Sequence, residues 1–502
     1  MGERFILGID IGTTSVKTIL ISSEGYIADE TTQNHDLLSL YPGWAEEDAS
    51  VWWQDTVDTV QILMERNPDK RESIAGIGVS GMVPAIVMLD EADQPVRNTI
   101  QQNDARAISQ IGKVTAALDQ AELFARVGGY TNQQHVIPRL LWVKENEPEI
   151  YAKGRVVFGS YDFVAYHLTG VQSVEVNWAV ESGMYDIRSG EWITSYMEQF
   201  GIDPALFPDV HLSEEIIGSV TEQAAQETGL PAGIPVIAGA ADHVASTLAA
   251  GITEPGDLLI KFGGAGDILY CVDEIEPDER LFFDYHLIPG QYLLNGCMAA
   301  SGSLVKWLTK DILDKYDSDA LKEMDREAEE KVPPASDGLV VLPYFIGEKT
   351  PIFDPTARGV LFGLTLSHTK AHLFRACLEA VIYGFKHHID VLAESGHEIG
   401  HVYATNGGSK SAFWCQIAAD ILDVKIKSFP HHPGSSLGVA FLAGKKMGLF
   451  DRWEQIEDFL TEQHVYEPVP EHAEVYKRSY KIYRDLYEEL KPSFADVQKL
   501  YD

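Results

Sequence analysis

The 502-residue chain is poor in cysteine and in basic side chains, and each shortage excludes a class of protein. Its four cysteines, Cys271, Cys297, Cys377 and Cys415, form no C-x-x-C pair, so neither a zinc site nor a disulfide framework is indicated. Lysine and arginine number 39 against 76 aspartates and glutamates, which gives a net charge of −37. Nucleic acids and anionic membranes bind basic faces, so we expect neither as a partner.

Long apolar runs are lacking as well, and no segment is long enough to span a bilayer. The first ten residues show no basic segment followed by an apolar core, so we read no signal peptide and expect a cytoplasmic protein. Apolar residues make up 45% of the chain, as in globular proteins. A chain of this length predicts two domains, each with its own core.

The stretch Phe5 to Leu20, FILGIDIGTTSVKTIL, predicts a strand, a tight turn and a second strand. The turn carries Gly12, Thr13 and Thr14, and Asp10 precedes it. Glycine lets a backbone approach a ligand closely, and successive N–H groups with threonine hydroxyls bind anions. A carboxylate can hold a divalent cation against the same phosphates. The tip therefore suits a nucleotide triphosphate, although an ordinary Gly-Thr turn capped by an aspartate uses the same residues.

The second half repeats this pattern between Asp257 and Val272, where an apolar run, a tip containing Gly263 and Gly264, and another apolar run follow one another. The two hairpins lie about 250 residues apart. Such spacing suggests a duplicated fold that clamps a ligand between its halves.

Near the middle, the segment from Pro235 to Gly251 predicts a buried strand, a turn of small residues and a short helix that begins at Asp242. Asp242 is either an ordinary helix cap or a carboxylate at the carboxyl edge of a sheet, where α/β proteins build their sites. The residues alone leave both readings open.

Two further glycine-rich segments need a structural prediction. Gly76 to Gly81 has the form G-x-G-x-x-G, but a strand rather than a helix follows it, so we interpret it as a loop between strands and not as a dinucleotide fingerprint. Val402 to Ser411 joins a strand to the apolar helix Ala412 to Leu422.

Amide, carboxylate and guanidinium groups in Gln101 to Arg106 suit a hydroxyl-rich ligand or an exposed loop.

Together these motifs resemble the FGGY carbohydrate kinases, relatives of actin, the heat-shock chaperone ATPases and hexokinase. The most specific match runs from Gly347 to Glu379 and resembles the second signature of the family, and Gln134 to Trp142 resembles the first, with Arg139 in place of a lysine. The resemblance covers roughly residues 4 to 450. It implies an α/β fold of two ribonuclease-H-like, actin-like ATPase domains that flank a central cleft. We expect their bounds at residues 1–251 and 252–502, with the sugar-binding and catalytic groups mainly in the first.

The resemblance also implies the ligands, ATP and Mg²⁺, and the roles of single residues. Asp10 would organise Mg²⁺, through water in such kinases, and Asp242 would accept the proton of the attacking hydroxyl. The phosphates would contact Gly12, Thr13, Thr14, Gly263 and Gly264. The adenosine would lie beside Gly407, Gly408 and Ser409. The acceptor, a sugar or polyol, would contact Gly81, Met82, Asn103, Asp104 and Asp242.

The departures from the family pattern lie in the acceptor region. Where xylulokinase-like members have Q-M-H-G, this chain has M-V-P-A at Met82 to Ala85, directly after Gly81. Where they have W-N-D-G-R, it has Q-N-D-A-R at Gln102 to Arg106. Lost amide, imidazole and indole groups place D-xylulose itself in question. We expect a xylulokinase-like enzyme that phosphorylates a sugar or polyol. The alternatives are a glycerol, short-polyol or sugar-acid kinase and a non-catalytic nucleotide-binding regulator. A homodimer is a further expectation from the family.

Overall fold

The computed structural model describes residues 2–315, 317–429 and 431–500. Strands and helices alternate along the chain and form two large sheets, each of seven strands. In the described part of the chain, no helix combines the length and the apolar character needed to cross a membrane. The cytoplasmic location expected from the sequence stays a prediction.

The strands have the following bounds. They are β1 (Phe5–Ile11), β2 (Ser15–Ser22), β3 (Ile27–Asn34), β4 (Glu46–Glu47), β5 (Ile74–Gly81), β6 (Val87–Leu89), β7 (Thr99–Ile100), β8 (Val156–Phe158), β9 (Ser173–Glu175), β10 (Tyr185–Asp186), β11 (Glu191–Trp192), β12 (Asp209–His211), β13 (Ile216–Ser219), β14 (Pro235–Ile237), β15 (Ala240–Ala241), β16 (Leu258–Phe262), β17 (Gly266–Val272), β18 (Phe282–Tyr285), β19 (Tyr292–Met298), β20 (Val340–Leu342), β21 (Val360–Phe362), β22 (Val402–Thr405), β23 (Ile426–Ser428) and β24 (His464–Tyr466).

The α-helices have the following bounds. They are α1 (Ala49–Arg66), α2 (Ile108–Ala117), α3 (Gln120–Val127), α4 (Val136–Asn146), α5 (Pro148–Tyr151), α6 (Ser160–Thr169), α7 (Val176–Glu181), α8 (Thr194–Gln199), α9 (Glu222–Thr228), α10 (Asp242–Ala249), α11 (Gly302–Lys306), α12 (Ser318–Lys331), α13 (Lys370–Glu394), α14 (Ala412–Leu422), α15 (Ser435–Lys446) and α16 (Ala473–Gln498).

The first sheet has the order β13-β14-β5-β1-β2-β3, with the short β15 also paired to β5. β1 and β2 form the predicted hairpin, antiparallel from Phe5↔Ser22 to Ile11↔Val16. β5 runs parallel to β1, and β15 runs parallel to β5. The carboxyl ends of these three strands therefore meet at one edge of the sheet. Parallel strands commonly build ligand sites at this edge.

The second sheet repeats the arrangement in the order β18-β19-β17-β16-β22-β23-β24. β16 and β17 form the second predicted hairpin, and β22 runs parallel to β16 as β5 does to β1. The buried helix α13 packs against α12, α14 and α16 beneath this sheet. The inner face of the long helix α16 also packs into the second core.

The interpretation of Gly76 to Gly81 as a loop is wrong, because this segment is β5, a fully buried central strand. Its glycines serve packing rather than a turn. A Cβ on Gly78 would lie 2.5 Å from the carbonyl oxygen of Val439 in α15, and one on Gly8 of β1 would lie 2.2 Å from that of Ser436. Glycine lets the backbones of strand and helix approach this closely.

Helix α15 lies after the predicted domain boundary in sequence, but it packs against elements that lie before it. The boundary between residues 251 and 252 falls in the connection from α10 to β16, which separates the two sheets along the chain. Helix α15, much later in the chain, nevertheless packs on β1, β5 and α10 in the first core. The division of the chain into two domains at this boundary stays a prediction.

The contact between α15 and α10 leaves no room for a side chain at Gly438, where a Cβ would lie 1.9 Å from the carbonyl oxygen of Ala245. We expect Gly438→Ala to destabilise the protein by about 1–3 kcal/mol or more through overpacking, seen as a lower thermal unfolding midpoint. Gly112→Ala is the matched control. Gly112 lies inside α2, and a Cβ added there would meet no heavy atom within 4 Å, so the change should stabilise by about 0.5–1 kcal/mol. Equal midpoints for the two variants would contradict this packing.

Candidate functional site

A cavity of about 600 Å³ lies between the two halves of the chain, with walls contributed by residues 83 to 243 on one side and 261 to 353 on the other. Its size is ordinary for a small-molecule site. Six amide side chains line it: Gln102, Asn103, Asn132, Gln133, Gln134 and Asn295. Six acidic or basic side chains line it as well: Glu181, Asp242, His243, Lys261, Asp267 and Lys349. Such walls can donate to and accept from several hydroxyl groups at once.

Asp242 stands at the first position of α10, directly after β15 at the carboxyl edge of the first sheet. Its side chain is 39% exposed, so the carboxylate is open to a ligand in the cavity. Burial alone would raise the pKa of Asp242, but the hydrogen bond and charge of His243, helped by Lys261, outweigh it and hold the pKa below its usual value. Asp242 is thus ionised at neutral pH and able to accept a proton.

His243 links Asp242 to the second half of the chain. Its Nδ1 lies 3.6 Å from Asp242 Oδ1, and its Nε2 lies 3.1 Å from Oδ2 of Asp284 on β18. Burial would lower the pKa of His243, but the two carboxylates hold it well above its usual range. The imidazolium therefore joins the two halves at the floor of the cavity and keeps Asp242 charged. Glu181 lies close by, and burial together with the charge of Asp284 raises its pKa to about 7.

Asp10 lies at the same sheet edge as Asp242, opposite Ser80 in the pairing of β1 with β5. Ser80 Oγ donates to Asp10 Oδ1 at 2.9 Å. Burial first, and then the neighbouring charge of Asp242, raise the pKa of Asp10 to about 6. Two carboxylates that repel each other in a cleft are the donor set that a hard divalent cation prefers.

The tip of the first hairpin is held in place by its neighbours. Gly12 N–H donates to Ser15 O at 2.9 Å, and His35 contacts Gly12 O at 3.1 Å through Nε2. Thr13 and Thr14, between the strands, remain partly or largely exposed. Thr13 Oγ1 donates to Met82 Sδ at 3.8 Å. The tip thus keeps a fixed backbone and presents two threonine hydroxyl groups near Asp10.

The second tip is fixed in a similar way by the start of α11. Gly302 N–H donates to Gly263 O at 2.8 Å, and Ser301 N–H donates to Gly264 O at 2.9 Å. Gly264 is exposed and nothing would contact a Cβ there. Both predicted phosphate tips are therefore present as hairpin turns, and their contact with phosphate stays a prediction.

A second cavity of about 590 Å³ opens beside the first hairpin. Lys17 and Glu30 of the first sheet, Asn406, Gly407 and Lys410 after β22, and the loop from His431 to Gly434 line it. Of the three residues expected to border adenosine, only Gly407 lies in this wall.

Gly408 and Ser409 lie behind that wall. A Cβ on Gly408 would clash with Trp414 at 2.6 Å, and the buried Ser409 hydroxyl donates to Asn406 O at 2.7 Å. Both residues shape the turn beneath Gly407, and the Ser409 side chain packs inward. Their contact with adenosine stays a prediction.

The structure places Asp104 away from the main cavity, and its contact with the acceptor stays a prediction. Asn103 lines the main cavity, but the adjacent Asp104 is fully buried and points the other way. Its Oδ2 accepts from Ala45 N–H and Arg106 Nη2, both at 2.7 Å. Arg106 in turn stacks 3.7 Å from the ring centre of Trp44. Asp104 therefore holds the loop that presents Asn103.

Gly81 and Met82 are also buried rather than exposed to the cavity. A Cβ on Gly81 would lie 2.7 Å from Ser160 Oγ, and Met82 is 0% exposed. The next residue, Val83, reaches the wall instead. The loop after β5 thus offers the acceptor an apolar surface where the xylulokinase pattern has polar groups.

Several wall residues carried no signal that sequence analysis could use. Glu181, Asp267 and Asn295 stand in ordinary helix or strand patterns, and only the fold brings them to Asp242. Lys349 and Phe353, by contrast, belong to the segment that resembles the second family signature. That match could have marked them as site residues.

Comparison with known proteins identifies the family. The sequence profile for the N-terminal domain of the FGGY family of carbohydrate kinases matches residues 5–249, and that for the C-terminal domain matches residues 281–447. The chain belongs to the FGGY family of carbohydrate kinases. Its α/β fold with two sheet-containing halves is the actin-like ATPase fold of that family, as expected from the sequence.

Relatives match over nearly the whole chain. Xylulose kinase from Bacillus subtilis is 29% identical over 96% of this chain and 97% of its own length. Gluconokinase from Bacillus subtilis is 26% identical over 98% of this chain and 97% of its own. The crystal structure of xylulose kinase from Rhodospirillum rubrum superposes with a TM-score of 0.94, at 40% identity, over 98% of this chain and 100% of that one.

Arg139 organises the amide-lined wall from behind. It is 0% exposed and donates to Gln101 O at 2.8 Å, to His135 O at 3.3 Å and to Gln134 O. These carbonyls flank the two segments that carry most of the amides.

We expect Arg139→Met to leave these carbonyl groups unpaired, at a cost in stability of about 1–3 kcal/mol each, and to raise the acceptor KM while ATP affinity is retained.

Arg188→Met is the control for this prediction, because Arg188 is exposed in the turn after β10. Steady-state kinetics with each substrate varied in turn provide the measurement. A variant at Arg139 whose only defect is ATP affinity would show that the segments are not held in this way.

Proposed function

We propose that this carbohydrate kinase transfers the γ-phosphate of ATP to a hydroxyl of a sugar or polyol bound in the amide-lined cavity, with Asp242 as the general base. The observation that carries the proposal is the partly exposed, ionised carboxylate of Asp242 in the wall of that cavity. Asp242 and Asp10 lie at the edge where the carboxyl ends of β1, β5 and β15 meet.

The chemistry requires little of the base. The acceptor oxygen attacks the γ-phosphorus in line, and the loose transition state spreads negative charge over the phosphoryl oxygens. Proton loss comes late, so a carboxylate with a low pKa is adequate. The main contribution of the chain is to hold the two substrates in position and in line.

Asp10 would hold the Mg²⁺ that accompanies ATP, directly or through water. The fit rests on its half-buried carboxylate, whose pKa is raised by burial and by the neighbouring charge of Asp242, which a bound cation would offset. Mg²⁺ supplies charge neutralisation on the phosphates when it is bound. Ser80 orients the Asp10 carboxylate through its hydrogen bond.

The nucleotide would occupy the second cavity, with its phosphates directed to the two hairpin tips. Gly407 and the loop from His431 to Gly434 offer a surface of small and flat groups for the base, while Lys17 and Lys410 supply positive charge. Lys17 is part of β2 and lies three residues beyond Thr14, which places it beside the first phosphate tip.

The amide-rich cavity favours a neutral polyhydroxylated acceptor. Amides donate and accept at once, so they select hydroxyl patterns without requiring a charge on the ligand. The names of several relatives make five-carbon ketoses the first acceptors to try, while the apolar Val83 argues for a hydroxyl pattern different from that of D-xylulose.

A sugar acid is the second candidate, and one observation favours it. Lys349 lines the cavity, is exposed, and has no carboxylate within 4.0 Å among the described residues. Its ammonium group could pair with an acceptor carboxylate. Gluconokinase from Bacillus subtilis, one of the relatives, matches the chain over nearly its whole length.

A coupled assay of ADP release against ketoses, aldoses, polyols and sugar acids tests the proposal. We expect one acceptor class to respond strongly in the presence of Mg²⁺ and ATP. Asp242→Asn should lower turnover by about 10²–10⁴-fold, because the general base is lost, while ATP binding measured by calorimetry changes little.

Two outcomes would contradict the proposal. Unchanged turnover in Asp242→Asn would remove Asp242 from the mechanism. ATP binding without turnover of any acceptor would favour the non-catalytic regulator of the same fold.

We also propose that the chain forms a homodimer through the exposed apolar strip formed by Leu361, Phe362, Leu364 and Leu366, along and after β21. Contiguous exposed apolar surface of this kind marks interaction sites. Light scattering should give twice the mass of one chain, and Leu366→Glu should reduce it to a single mass. Leu212→Glu, at an exposed leucine elsewhere, should leave the mass unchanged. A single mass for the wild-type chain would contradict the dimer.

A further inference from the structure

We propose that Lys261 is a catalytic residue whose ammonium group contacts the phosphoryl group as it passes from ATP to the acceptor. This proposal rests on the kinase activity proposed above and adds a residue to it. Lys261 belongs to β16, two residues before Gly263 at the second hairpin tip. The strand thus leads directly from Lys261 to the loop proposed to hold the phosphates.

The Lys261 side chain reaches from the second sheet to the helix that carries the base. Its Nζ donates to Ser246 Oγ at 3.1 Å. Ser246 lies four residues after Asp242 in α10, and residues four apart lie on the same face of a helix. The ammonium group and the Asp242 carboxylate therefore face the same part of the cleft, with more than 4.0 Å between their charged atoms.

Lys261 also lies between the two cavities. It lines the acceptor cavity. Its charge helps to lower the pKa of His432, which lines the nucleotide cavity and whose pKa falls to about 4, mainly through burial. The same charge contributes to the low pKa of Asp242 on the acceptor side. A group that acts on both walls lies where the transferred phosphoryl must pass.

Its hydrogen bonds are incomplete. An ammonium group has three N–H donors, and Ser246 Oγ accepts one. Among the described residues no carboxylate lies within 4.0 Å of Lys261 Nζ, whereas Lys17 at the first hairpin pairs with Glu30 at 2.9 Å. A half-buried cation without a counter-ion is energetically costly. Lys261 lacks one among the described residues, although the chain, with a net charge of −37, is rich in carboxylates. The remaining donors suit an anionic ligand.

The reaction gives this cation a role. The bond from the acceptor oxygen to the γ-phosphorus forms while the bond from phosphorus to the bridging oxygen breaks, and the electron pair of the broken bond stays with ADP. The acceptor proton goes to Asp242, and Lys261 keeps its protons throughout. A fixed positive group beside the phosphoryl oxygens stabilises the charge that they carry in transit, and such groups contribute about 10²–10³-fold in rate.

The test uses MgADP with aluminium fluoride, which mimics the phosphoryl group in transit, and calorimetry as the readout, so no acceptor need be known. We expect the wild-type protein to bind MgADP at least tenfold more tightly with aluminium fluoride than without. Lys261→Met, which keeps the length of the side chain and removes its charge, should bind MgADP within about threefold of wild type but lose this gain. Lys261→Arg should restore part of it.

With an acceptor in hand, Lys261→Met should lower kcat by about 10²–10³-fold and leave the acceptor KM within about threefold. Lys322→Met is the matched control, because it removes the same charge from a side chain of α12 that is 79% exposed. Thermal midpoints of all variants verify folding.

Three results would overturn the role of Lys261. The first is no gain in MgADP affinity with aluminium fluoride in the wild type, and the second is a full gain in Lys261→Met. The third is a loss of MgADP affinity in Lys261→Met as large as its loss of affinity for the fluoride complex, which would place the effect of Lys261 in the ground state. A wild-type protein that gains affinity with fluoride but phosphorylates no acceptor would instead contradict the proposed function. Loss of the gain in Lys261→Met would then still support a phosphoryl contact.

Discussion

The site depends on the close approach of one helix to the backbones of two strands and a second helix. Helix α15 contacts β1 and β5 through Gly8 and Gly78, and it contacts α10 through its own Gly438, at distances that exclude any side chain. This packing fixes α10, which begins with Asp242, against the sheet edge where Asp10 lies one residue before the end of β1. It also fixes the loop that precedes α15 and lines the second cavity. A late segment of the chain thereby places groups on both sides of the cleft.

Positively charged side chains line the cleft, although the chain as a whole is strongly acidic. A net charge of −37 would repel ATP from an average surface, yet Lys17, Lys261 and Lys410 line the two cavities. The imidazolium of His243, held between Asp242 and Asp284, keeps the base ionised while its own charge is balanced. Asp242 and Lys261 thus bring opposite charges to the wall of the first cavity, and Lys17 and Lys410 bring positive charge to the wall of the second.

The sequence predicted local structure well where one period dominated. The two hairpins and the helix from Ala412 to Leu422 were predicted with correct or nearly correct bounds, because apolar alternation or a helical stripe is present in each. β5 was missed because its glycines are set by contact with α15, which no local pattern shows. Asp104 was assigned to the acceptor because it lies in a family motif, and the sequence does not show which way its side chain points. Neighbouring residues in a turn point to opposite sides, and only Arg106 and Ala45 reveal that Asp104 points inward.

The central claim is that Asp242 accepts the proton of an acceptor hydroxyl that faces the γ-phosphorus. A crystal structure of the protein with its acceptor, Mg²⁺ and a non-hydrolysable ATP analogue tests it most directly. The account predicts one acceptor hydroxyl at about 2.6–3.2 Å from the Asp242 carboxylate and in line with the bond from the γ-phosphorus to its leaving group. An acceptor seated with every hydroxyl beyond reach of Asp242, in a closed complex with the nucleotide bound, would contradict it.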